Sequence, residues 1–103
     1  MKIYNKLVRD RIPEIIEQSG KKCSIHRVEG YDFLVALDNK FIEEFEEFKK
    51  VRTIDELADL IEVFYEYLEY FYLDDQAIER QRKLKYNKNG GFKKKIILEH
   101  VDE

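Results

Sequence analysis

Apolar side chains change their spacing along the chain, and the changes mark out its elements. From Tyr31 onward, Leu34, Leu37, Phe41, Phe45 and Phe48 recur at steps of three and four, the period of one helix face. They predict a helix running to about Lys50. Leu57, Ile61, Phe64, Leu68 and Phe71 repeat the pattern in a second long helix, supported by Ala58, Tyr65 and Tyr72. In front of it, Thr53-Ile54-Asp55-Glu56 has the form of a capping box, a hydroxyl N-cap with a glutamate three residues on. Pro13 suits the first turn of a helix and Gly20 the stop, so residues 12–19 read as a short helix. Asp74 caps a further helix over about residues 75–87, which Gly90-Gly91 breaks. Residues 22–28 alternate, and Phe92 to Val101 contains Ile96-Ile97-Leu98; both read as strands, paired with each other. Residues 1–8 are extended or loop. The expected fold class is mainly α: an antiparallel helical bundle with a small two-stranded β element, one domain over residues 1–103.

Composition narrows the classes. A chain of 103 residues has modest capacity to bury surface alone, so an oligomer is expected. Its seven Phe and seven Tyr, with many Ile, Leu and Val, argue against disorder. One cysteine, Cys23, excludes an internal disulfide. His26 and His100 fall in the expected strands, away from any helical ligand spacing, so a di-iron site with Glu-x-x-His helices is a poor fit. No apolar run approaches a membrane span, and the start lacks the apolar stretch of a signal peptide. The expectation is a soluble cytoplasmic domain.

The net charge of −3 conceals a strong asymmetry. Residues 1–28 carry seven Lys/Arg against three Asp/Glu, residues 29–79 four against sixteen, and residues 80–103 eight against three. An acidic middle between basic flanks excludes a simple nucleic-acid binder, which would show a dominant basic face. Between Arg52 and Arg80 there is no Lys or Arg, yet Glu56, Asp59, Glu62, Glu66 and Glu69 recur at steps of three and four. Like charges at these spacings repel, so a metal, a basic flank or a partner subunit is expected to offset them.

Two clusters concentrate the carboxylates: Glu43-Glu44-Phe45-Glu46-Glu47 and Glu56-Leu57-Ala58-Asp59. Glu44 pairs with Glu47 on one helix face, and Glu56 with Asp59 on another. The short connector predicts an antiparallel hairpin. Glu44 and Asp59 lie equally far from a turn centred between residues 51 and 52, and so do Glu47 and Glu56. The four carboxylates then occupy two facing levels about 4.5 Å apart along the axes, on helices about 8–10 Å apart. Oxygen ligands in this arrangement suit a hard divalent cation, Mg²⁺ best, because it keeps positions free for substrate phosphates. The spacing alone leaves a solvated acidic face as the alternative, with Glu56 serving the helix cap and dipole.

Family resemblance enters through the segment Tyr4-Asn5-Lys6-Leu7-Val8-Arg9-Asp10-Arg11-Ile12-Pro13-Glu14-Ile15-Ile16. It resembles the opening of small MazG-like nucleotide pyrophosphohydrolases, the all-α NTP pyrophosphatase superfamily, in the phosphoribosyl-ATP pyrophosphohydrolase-like branch. The resemblance continues through residues 43–47, residues 56–63 and Gly90-Gly91-Phe92, although Asn89 stands where members often carry a basic residue. It implies hydrolysis between the α- and β-phosphates of a nucleoside triphosphate or related nucleotide, giving a monophosphate and pyrophosphate. It also implies that Glu44, Glu47, Glu56 and Asp59 hold Mg²⁺, with Mn²⁺ a possible substitute. Glu43 or Glu44 would accept the proton of the attacking water, and Lys6, Arg9 and Lys85 would bind phosphate oxygens. The oligomer would be a homodimer or homotetramer if the chain is the enzyme that the resemblance implies. The competing expectation is a non-catalytic helical interaction module on the same scaffold.

Overall fold

The computed structural model describes residues 1–102. Among them are four helices, α1 (Ile12–Gln18), α2 (Gly30–Lys50), α3 (Ile54–Tyr70) and α4 (Asp75–Asn89). The chain divides into two compact units, Met1–Phe71 and Tyr72–Glu103.

In the first unit α2 and α3 form the hairpin that the acidic clusters require. Three contacts fix its register. The Tyr67 hydroxyl donates to Asp38 Oδ1 at 2.6 Å, the Phe41 and Tyr67 rings meet edge to face at 6.2 Å, and Phe33 lies 6.1 Å from Tyr70. The start of α2 thus meets the end of α3, so the helices run antiparallel. Desolvation first, and then the Asp38 carboxylate, push the Tyr67 hydroxyl up to about 12, which keeps it a donor to that partner. In the connector, the Arg52 guanidinium sits 4.7 Å from the centre of the Phe48 ring and covers it.

Only half of the expected capping box forms. Thr53 Oγ1 accepts from the Glu56 N–H at 3.4 Å, which satisfies one of the unpaired donors of the first turn. The Thr53 N–H is taken by the Val51 carbonyl at 3.0 Å, which leaves the Glu56 carboxylate free to join the acidic cluster.

The core differs from the expected stripes. Its buried members are Leu37, Val63 and Leu68, with Leu34, Phe48, Leu60, Tyr67 and Tyr70 half-buried. Phe41 and Phe45 of the α2 stripe are exposed, as are Leu57, Ile61, Phe64 and Phe71 of the α3 stripe. The physical reason is that α3 carries two adjoining apolar faces. Leu60, Val63, Tyr67 and Tyr70 also recur at steps of three and four, and the contacts of Tyr67 and Tyr70 turn this second face toward α2. Periodicity finds both faces; only the partner helix chooses between them.

No strand occurs among the described residues, so the expected two-stranded β element is corrected. Residues 92–95 form a turn closed by the Lys95 N–H on the Phe92 carbonyl at 3.0 Å, with Lys95 at φ 56. That turn removes the first residues of the supposed ladder. In residues 22–28 only Cys23 is half-buried, so the alternation leads to no buried face, and an isolated pair of strands is marginal in water.

The second unit holds α4. Asp74 caps it by accepting from the Gln76 N–H at 2.9 Å, and Glu79 holds Arg82 at 2.6 Å on its surface. Gly90 ends it at φ 83, a left-handed conformation that side chains rarely adopt. A Cβ on the next residue, Gly91, would lie 2.9 Å from the Tyr86 ring, so the glycine pair combines a helix stop with close ring packing. No helix among the described residues is long and apolar enough to cross a membrane.

Leu37 is 1% exposed, and truncating such a side chain leaves a cavity. Leu37→Ala should therefore cost about 2–5 kcal/mol of unfolding free energy, read by urea denaturation. Thr53→Ala, which removes a helix cap, should cost about 1 kcal/mol.

Candidate metal centre

The hairpin brings three of the four expected metal ligands together. Glu44 on α2 and Glu56 and Asp59 on α3 each offer an oxygen, and these oxygens lie within 4.8 Å of one another. Glu56 and Asp59 stand one helical turn apart, so they share a face; the hairpin places Glu44 against them. Glu47, the fourth expected ligand, is exposed and lies outside the trio. Its charge still reaches the cluster. The Glu56 carboxyl is raised above its ordinary range by desolvation first, and then by the charges of Asp59, Glu47, Glu44 and Asp55.

Basic residues from the opening segment reach the same place. Lys6 donates to Glu43 Oε1 at 2.6 Å, and Arg9 donates to Asp59 Oδ1 at 2.8 Å. Both are exposed or half-exposed, so they anchor the segment without deep burial. Burial alone would raise Glu43, but the Lys6 hydrogen bond and the nearby Lys40 charge outweigh it and hold its carboxyl below the usual range. The same hydrogen bond raises Lys6. Two of the three expected phosphate ligands are thus paired with carboxylates at or beside the trio. Lys85, the third, lies on α4 in the second unit and is exposed.

Lys40 is a member of the site that the sequence reading passed over. Its side chain is only 16% exposed, and its Nζ lies 3.1 Å from Glu44 Oε1 and 3.5 Å from Glu43 Oε2. The signal was present: Lys40 precedes these residues by three and four positions, the spacing of helical neighbours.

Beside the trio a cavity of about 470 Å³ opens between residues 7–11 and the α2–α3 groove. Leu37 and Val63 contribute apolar wall, and Glu44 and Asp59 of the trio line it together with Lys40. A carboxylate trio next to a partly apolar cavity suits a divalent cation and a ligand with one charged and one apolar part. Comparison with known proteins adds no relative: no family model, no curated protein and no solved structure matches the chain.

The Lys6–Glu43 pair has a definite pH window. Glu43 is lowered in the folded chain, so its stabilisation is present above its unfolded value of 4.5 and is lost as pH falls through the lower folded value. Lys6 is raised, so its part is present below 10.5 and is lost as pH rises through the higher folded value. A double-mutant cycle of Lys6→Ala and Glu43→Ala in urea should give a coupling of at most about 1 kcal/mol at neutral pH. The coupling should vanish in strong acid.

Proposed function

We propose that this chain is a Mg²⁺-dependent nucleotide pyrophosphohydrolase, cleaving the α–β phosphoanhydride to release a nucleoside monophosphate and pyrophosphate. The observation that carries the reading is the trio Glu44, Glu56 and Asp59, with oxygens within 4.8 Å of one another, two of whose members, Glu44 and Asp59, line a cavity. The ordered resemblance of the acidic motifs and the opening segment to MazG-like enzymes supports it.

In this reading Glu44, Glu56 and Asp59 hold the cation, and Glu47 sits beside them as a further carboxylate. The bound ion supplies charge neutralisation and polarisation at the phosphate. The chain's own residues do the rest. Lys6 and Arg9 exchange their carboxylate partners for phosphate oxygens, a role suited above all to the planar, bidentate guanidinium of Arg9. Glu43, outside the trio, or Glu44 accepts the proton of the water that attacks the α-phosphorus. The bond from that phosphorus to the bridging oxygen breaks, and pyrophosphate leaves.

Exposed apolar side chains on α2 and α3, among them Phe45, Ile61 and Phe64, favour a protein partner. This is the observation behind the second reading, a non-catalytic interaction module. We assign these side chains to a second copy instead: two helical hairpins that bury matching apolar faces make a four-helix bundle, in a homodimer or a homotetramer built from it.

A panel of NTPs, dNTPs and modified nucleotides with Mg²⁺, scored for pyrophosphate against phosphate, tests the reaction. Pyrophosphate is the expected product, and phosphate alone would contradict the cleavage site. Asp59→Asn should lower turnover about 10²-fold or more, because a held cation contributes several kcal/mol, while circular dichroism stays helical. Sedimentation of the intact chain should give a dimer or tetramer, and Ile61→Glu should shift it toward monomer.

A further inference from the structure

The cavity's side-chain chemistry, on the reading of the site as a nucleotide hydrolase, bears on which base it takes. Its three cations are all engaged: Arg9 with Asp59 at 2.8 Å, Arg11 with Glu14 at 3.2 Å, and Lys40 with Glu44 at 3.1 Å. Asp10, Glu62 and Glu66 also line it, and none has a cation within 4.0 Å among the described residues. Ionised carboxylates only accept hydrogen bonds. The uncommitted polar side chains of this cavity therefore ask for donors from a ligand.

Glu66 is the best placed of the three. It is half-buried, whereas Glu62 and Asp10 are exposed. It stands seven residues beyond Asp59 on α3, two helical turns, or about 10 Å of rise. Between these two levels Leu37 and Val63, which are 1% and 6% exposed, give the cavity an apolar strip, with the exposed Glu62 beside it. A nucleotide whose phosphates lie at Asp59 would run its sugar and base along this wall, with the far edge of the base near Glu66. Burial first, and then Glu69, Glu62 and Asp10, raise the Glu66 carboxyl above its ordinary range. An uncompensated carboxylate of this kind gains from a ligand's N–H groups.

We infer that Glu66 reads the base, and that the nucleotide is a guanine or another 2-amino-6-oxopurine. Guanine presents two adjacent donors, N1–H and the 2-amino group, which match the two oxygens of one carboxylate. Adenine and cytosine place a ring acceptor beside their amino group, and uracil has one N–H between two carbonyls. Each of these turns at least one acceptor toward Glu66, and that costs binding because the carboxylate cannot donate.

The test uses the full chain with Mg²⁺ and compares kcat/KM for GTP, ITP, XTP, ATP, CTP and UTP. ITP lacks only the 2-amino group, and XTP replaces it with an oxygen. GTP should lead ITP by about 10- to 100-fold, the range for losing one hydrogen bond to a charged group. Glu66→Gln should bring the GTP to ITP ratio close to one and improve XTP relative to GTP, because the amide supplies a donor for the new oxygen. Equal turnover of GTP and ITP by the wild type, or an unchanged ratio in Glu66→Gln, would overturn the assignment and leave the hydrolase reading standing. If no nucleotide is hydrolysed, calorimetry with GMP and IMP decides. GMP bound at least 10-fold more tightly, with the difference lost in Glu66→Gln, upholds the base site, and the hydrolase reading alone falls. No binding, or equal binding, overturns the base site as well.

Discussion

The register of α2 against α3 governs what the rest of the first unit can do. Tyr67 on Asp38 and Phe33 beside Tyr70 hold the two helices at one height. At that height Glu44 meets Glu56 and Asp59 with oxygens within 4.8 Å of one another. A slip of one residue turns each side chain by about 100° around its helix axis and would scatter the trio. Interlocked aromatic rings and a short hydrogen bond to a charged acceptor resist such a slip better than aliphatic contacts alone, because they combine packing with direction.

Holding several carboxylates together has an electrostatic cost, and the chain meets it in two ways. Cations come from nearby in sequence, as Lys40 does for Glu43 and Glu44, and from far away, as Lys6 and Arg9 do through the opening segment. The compensation is partial. Glu56 and Glu66 both keep raised carboxyls, each with like-charged neighbours among the causes. This residual field is negative, and a cation or a hydrogen-bond donor brought to it would be stabilised. The basic flank of residues 1–28 thereby acquires a structural task, with the opening segment lying along the acidic groove as one wall of the cavity.

Much of this was legible in the residues. The long helices, their short connector and the facing of Glu44 with Asp59 follow from three-and-four spacing and from symmetry about the turn. Thr53, Asp74 and Gly90 announced helix ends through side-chain and backbone chemistry that needs no tertiary contact. The illegible parts share one cause, dependence on a partner. Two apolar faces of α3 have the same period, so the choice of Val63 and Tyr67 over Ile61 and Phe64 depends on α2. The alternation in residues 22–28 marks a strand only if a second strand pairs with it, and the turn at Phe92–Lys95 removes the beginning of that candidate. Lys40 was not legible because a lysine three and four positions before glutamates is also the pattern of an ordinary solvated helix face, and only the hairpin brings it to the trio.

The central claim is that Glu44, Glu56 and Asp59 together hold a divalent cation, and electron paramagnetic resonance of Mn²⁺ tests it most directly. Titrating the intact chain with Mn²⁺ should remove the free-ion signal as the metal binds. Glu44→Gln and Asp59→Asn should each weaken that binding by at least about 10-fold, the scale of losing a charged contact, while Glu46→Gln leaves it unchanged. Absence of uptake by the wild type, or equal uptake by all these variants, would contradict the account.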